Sequence, residues 1–70
     1  MDRTPVQSSN LRSVGYDPVR RILEIEFHDG GVYQYQSVDP SVYNGLMSAG
    51  SHGSFFHAYV KNIYPYRKVR

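Results

Sequence analysis

A strand of strict alternation followed by two tyrosines fixes most of what this chain can fold into. Leu23-Glu24-Ile25-Glu26-Phe27 puts three large apolar side chains on one face of a strand and two carboxylates on the other. Asp29-Gly30-Gly31 is a turn signal, and Gly31-Val32-Tyr33-Gln34-Tyr35-Gln36 then runs back with Tyr33 and Tyr35 on a common face. The loop length decides which face. A two-residue Asp29-Gly30 loop sets the tyrosines beside Glu26 and Glu24. A three-residue loop, His28-Asp29-Gly30 with Gly30 left-handed, pairs Ile25 with Tyr33 and Leu23 with Tyr35. The second register gathers five large side chains on one face and Glu24, Glu26, Gln34 and Gln36 on the other. Alternation favours it.

The same hairpin organises its neighbours. Residues 1–7 read as a flexible leader, and residues 8–70 as a single domain. A first strand spans about Leu11 to Tyr16, untidy in pattern, with Gly15 marking a bulge or a close backbone approach. Asp17-Pro18 turns the chain into strand two, about Arg21 to His28. Strand three is about Val32 to Ser37. The period then becomes helical. Asp39 fits an N-cap and Pro40 the first helical position. Val42, Tyr43, Leu46, Met47 and Ala49 form an apolar stripe that Gly50 ends. Gly45 inside this helix costs about 1 kcal/mol relative to Ala, a hint of close packing. Ser51 caps a second helix through about Asn62, with Phe55, Phe56, Tyr59, Val60 and Ile63 as its apolar face. Pro65 stops it, and Tyr66 to Arg70 adds a short strand or stays loose. The expected fold class is α+β: a three-stranded antiparallel meander followed by two helices packed on one face.

Size makes the aromatics matter. A chain of 70 residues buries only about 60% of its unfolded surface. It has no cysteine, so disulfides cannot help. Its seven tyrosines and three phenylalanines must carry much of the core, each fully buried ring contributing about 1.5–3 kcal/mol. Tyr33 and Tyr35 therefore fit under the helices with Leu23, Ile25, Leu46 and Phe55 or Phe56. On an exposed face they would instead be a stacking platform for bases.

Charge is unevenly distributed. Residues 1–39 carry four basic and six acidic side chains, and residues 40–70 carry Lys61, Arg67, Lys68 and Arg70 with no acid. Such asymmetry marks either a solvated tail or a surface for a polyanion. Tyrosines interleave with these cations, so Lys61, Tyr64, Tyr66, Arg67, Lys68 and Arg70 form the candidate nucleic-acid-binding set.

Other chemistries find little support. His52 and His57 are five residues apart, about 140° around a helix, and share no face for a metal. Ser51 and His52 lack an orienting third group and Ser51 is better used as a cap. No glycine-rich phosphate loop is present. The expectation is a non-catalytic module without metal or cofactor. No apolar run is long enough for a membrane span and no signal-peptide core follows Met1, so a cytoplasmic location is expected.

Taken in order, Ser8-Ser9-Asn10, Val14-Gly15-Tyr16-Asp17, Leu23 to Phe27, Gly31 to Tyr35, Val38-Asp39-Pro40, Ala49-Gly50-Ser51-His52-Gly53 and Phe55-Phe56 resemble the KTSC domain. That short family is named for its place at the carboxyl terminus of some lysyl-tRNA synthetases and occurs alone in small bacterial and phage proteins. The resemblance covers about residues 8–66, with Tyr33 and Tyr35 as the family's Y-x-Y hallmark. It implies RNA as a partner, through the synthetase fusion, and brings no catalytic residues. Gly50 departs from the larger helix former expected there, so the first helix is expected to end earlier. A protein-interaction module using a sheet edge or the helix pair is the alternative.

Overall fold

Gly30 adopts φ +93°, a left-handed conformation that glycine takes at little cost. Its N–H donates to the Phe27 carbonyl at 3.0 Å, and the Phe27 N–H donates to Gly31 at 2.9 Å. This three-residue loop sets Leu23 opposite Tyr35 and Ile25 opposite Tyr33, the register that alternation favours. The computed structural model describes residues 1–70. Its elements are β1 (Thr4–Pro5), β2 (Leu11–Asp17), β3 (Ile22–Phe27), β4 (Val32–Tyr35), α1 (Pro40–Ser48), α2 (His52–Tyr59) and β5 (Tyr66–Lys68). The strands form one antiparallel meander in the order β1-β2-β3-β4-β5. The two helices, inserted between β4 and β5, pack on one face. The fold is α+β, with five strands where the sequence suggests three and a short fourth.

The leader is a correction. Thr4 pairs with Val14 and Pro5 with Ser13, so residues 1–7 contribute an edge strand to the sheet. Arg3 anchors it by an ion pair to Glu24. A Cβ on Gly15 would stand 2.6 Å from the Asp2 carbonyl oxygen. The glycine is the close backbone approach, where the leader crosses β2. The bulge lies elsewhere, between Leu11 and Ser13. It turns both Leu11 and Val14 inward, where both are fully buried, and accounts for the untidy pattern of this strand.

The core joins Leu11, Val14, Leu23, Ile25 and Tyr35 of the sheet to Val38, Leu46, Phe56 and Val60. Asp39 caps α1 by accepting from the Ser41 N–H at 2.9 Å. Ser51 caps α2 by accepting from the Ser54 N–H at 3.2 Å. The helices meet where the Phe55 ring lies against Gly45; a Cβ there would come within 2.7 Å of it. α1 stops at Ser48, because Ala49 is already extended at ψ 143°. α2 is three residues shorter than its stripe suggests. Val60 leaves the helix to bury itself completely, and Asn62 takes a left-handed φ of 65° that redirects the chain.

Candidate nucleic-acid interface

The six candidate residues do not form one cluster. β5 alternates, so Tyr66 and Lys68 face the helices while Arg67 faces away. Arg67 donates to the Gln34 amide oxygen at 3.4 Å and Arg70 to Glu26 at 3.0 Å, both on the far side of the sheet. Tyr64 is half-buried and packs against the core. Lys61 and Tyr66 share a cleft on the helix side and Lys68 reaches the Tyr33 ring at its border, a division that the expectation of a single basic surface did not distinguish.

There a cleft of about 470 Å³ opens between the end of α2 and strands β3 to β5. Its floor is aromatic. Tyr35 and Phe56 meet edge to face at 5.5 Å, Phe27 and Tyr33 at 5.5 Å, and Phe27 and Phe56 at 5.4 Å. Tyr66 leans over both hallmark tyrosines, 5.7 Å from each ring. These separations suit favourable aromatic contacts. Tyr35 and Phe56 are buried, Phe27 and Tyr33 half-buried, and Tyr66 is 59% exposed. The rings thus grade from core to solvent. Lys68 Nζ sits 5.9 Å from the Tyr33 ring centroid, within cation–π reach. Lys61, Asn62, His57 and Asn10 line the same cleft. Burial pushes the Tyr35 phenol up to about 12, with Tyr33 and Tyr66 adding to the shift. It is a neutral hydroxyl throughout the physiological range.

The opposite face is a closed polar network. Arg3 Nε donates to the Ser13 hydroxyl at 3.0 Å, and that hydroxyl donates to Glu26 at 2.8 Å. Gln34 donates to Glu24 at 2.8 Å. Burial alone raises the Glu24 carboxyl, but the bond from Gln34, then the bond and charge of Arg3, outweigh it and hold it low. Glu26 is held low chiefly by the Ser13 hydroxyl, against a smaller push from desolvation; Arg3, Arg12 and Arg70 add to the lowering.

The remaining candidates have structural employment. His28 Nε2 lies 2.7 Å from the Ser8 carbonyl and His52 Nδ1 2.8 Å from the Leu46 carbonyl, so both nitrogens carry hydrogens. No three His, Asp or Glu side chains converge as metal ligands would. Sequence reasoning missed Asn10, Phe27, His57 and Asn62. Strand parity was the one available signal, and it points Phe27 toward the tyrosines.

Comparisons with known proteins agree on one family. The family profile described as KTSC domain matches residues 7–64. An uncharacterized protein of Stutzerimonas stutzeri (strain A1501) is 48% identical over 61 residues, covering 87% of this chain and 86% of the relative. A lysine–tRNA ligase of Nostoc sp. is 30% identical over 63 residues; the match takes in 90% of this chain and 11% of the ligase. The crystal structure of a KTSC domain protein from Yersinia pestis superposes with a TM-score of 0.96 at 43% identity, covering 99% of this chain and 97% of that one. A profile over most of the residues, a near-complete structural match and a synthetase segment all lead to the same place: this chain belongs to the KTSC domain family.

Proposed function

We propose that this KTSC domain is a non-catalytic binding module that holds single-stranded RNA at the aromatic cleft. The observation that carries the reading is the placing of Lys61 and Tyr66 in a cleft floored by Tyr33 and Tyr35, with Lys68 over the Tyr33 ring. An exposed tyrosine offers a stacking face to any base, and two lysines offer point charges to phosphate. The Nostoc relative, a lysine–tRNA ligase, adds weight to an RNA partner. Ser51 is spent on capping α2 and His52 on a carbonyl, which favours binding over catalysis. No helix is long and apolar enough to cross a membrane, and an RNA partner fits a cytoplasmic location.

Binding of this kind positions RNA without reading its sequence. With two lysines engaged, the log–log salt slope is about −1.4. The test is a titration of fluorescently labelled single-stranded RNA at two salt concentrations, with wild type and a Lys61→Ala/Lys68→Ala variant. Salt-sensitive binding that the variant loses supports the reading. Equal binding by both proteins, or none by wild type at low salt, removes it. The protein-interaction reading then takes its place, on the strength of β5, an edge strand whose three residues are all exposed.

A further inference from the structure

The cleft is small, and the polar pocket of about 350 Å³ that adjoins it across Ser9, Asn10 and His57 carries no tyrosine or phenylalanine ring. At about 470 Å³ the cleft lies in the size range of pockets that enclose one small ligand, roughly 300–1,000 Å³. Tyr66 is its one strongly exposed ring; Tyr33 beneath it is half-buried. The stacking surface does not continue in any direction. Across the sheet the Glu24, Glu26 and Gln34 side chains are occupied by Arg3, Arg70 and Arg67. On α2 the other exposed ring, Tyr59, lies outside the cleft lining and is tilted against Phe55 at 4.7 Å. The Tyr16 ring is stacked on Tyr43 at 5.0 Å. A strand of several bases finds no second platform.

The polar lining divides in two. His28 and Asp29 are committed, one to the Ser8 carbonyl and the other to the Gly31 N–H at 2.9 Å. The side chains of Asn10, His57 and Asn62 make no hydrogen bond within the protein, and neither lysine joins an ion pair; the ion pairs are Arg3–Glu24, Arg3–Glu26, Arg21–Asp39 and Arg70–Glu26. Side-chain amides both donate and accept, as the edge of a base requires. Asn62 reaches this position from a left-handed backbone conformation, φ 65°, at the turn that ends α2.

We infer that the cleft is a mononucleotide site, taking one base on Tyr66 and Tyr33 with its edge toward Asn10, His57 and Asn62, and its phosphate met by Lys61 and Lys68. This rests on the RNA reading of the same cleft and narrows it: the domain grips one unstacked nucleotide, not a run of them. The chemistry is shared by a free nucleotide and by a nucleotide within a strand, and length dependence tells the two apart.

The experiment follows backbone amide shifts of the labelled protein by NMR during titration with adenosine 5′-monophosphate, adenosine, ribose 5-phosphate and a longer oligoadenylate. The monophosphate is expected to move the amides of Tyr33, Lys61, Asn62 and Tyr66. Adenosine binds more weakly, ribose 5-phosphate hardly at all, and the oligomer gains no more than about tenfold over the monophosphate. Tyr66→Ala weakens the monophosphate about tenfold, while Tyr66→Phe, which keeps the stacking face, does not. An oligomer that binds where the monophosphate leaves the cleft untouched overturns the single-nucleotide site and keeps the RNA reading. A monophosphate that binds where the oligomer does not overturns the RNA reading and leaves a site for the free nucleotide. Silence from both removes both.

Discussion

The two faces of β3, β4 and β5 are built from alternate residues of the same strands, yet they dispose of their polar groups in opposite ways. Toward the open side, Glu24, Glu26, Gln34, Ser13, Arg3 and Arg70 satisfy one another. Toward the helices, Lys61 and Lys68 flank a graded stack of rings without a carboxylate partner. A cation beside its own carboxylate adds almost no field at a distance, because the two opposite charges cancel. Formal charge counted along the chain therefore overstates how much positive surface is free. Of the four cations after Pro40, Arg70 is neutralised locally, Arg67 is turned to the other face, and Lys61 and Lys68 are left without an ion-pair partner.

The comparison breaks most visibly if the rings are not core. Tyr35 is 5% exposed against Phe56, so Tyr35→Ala should cost about 3–5 kcal/mol in urea unfolding. An unchanged midpoint would mean that the cleft floor is soft. The polar face is sharpened by Glu24→Gln, which keeps the shape and removes the charge that Arg3 meets. We expect a loss of about 1–3 kcal/mol at neutral pH. Glu24 and Glu26 have carboxyls held below their ordinary range in the folded state. Their stabilisation is complete above that range, from about pH 5, and is lost as pH falls through the folded-state values. Wild type should therefore lose stability more steeply in acid than Glu24→Gln, measured by thermal melts across pH. Parallel curves would show that the network does not depend on the Glu24 charge. The smallest effect separates the faces directly. Arg67→Ala should change stability by less than about 0.5 kcal/mol and leave RNA affinity intact, whereas Lys68→Ala lowers that affinity. Equal losses in a binding titration would place the interface on both faces.

Local chemistry made much of the fold legible. The hairpin register follows from alternation across Asp29-Gly30, and both helix starts follow from Asp39-Pro40 and Ser51. Gly15 and Gly45 announced close contacts, though not with what. The leader strand left no trace, because Thr4-Pro5 is too short to alternate. What holds it is Arg3 reaching Glu24, 21 residues away in sequence. The site was half legible. Composition located the basic segment, and the period of two within Tyr66-Arg67-Lys68 already divides it between faces. The cleft itself was not readable, since Asn10, Phe27, His57 and Asn62 arrive from separate segments and only tertiary packing brings them together.

The sheet is bordered on each side by a short strand, β1 against β2 and β5 against β4. Both lie outside residues 7–64, the span of the family match. A chain trimmed to that span would carry two raw edges, with the backbone groups of Ser13–Val14 and Tyr33–Tyr35 left without partners. Raw edges seek other strands, and the nearest supply in a concentrated solution is the same raw edge on another copy. The outermost strands thus act as selvedges: they add little to the core, and they shorten the open backbone at each side to the two residues of β1 and the three of β5.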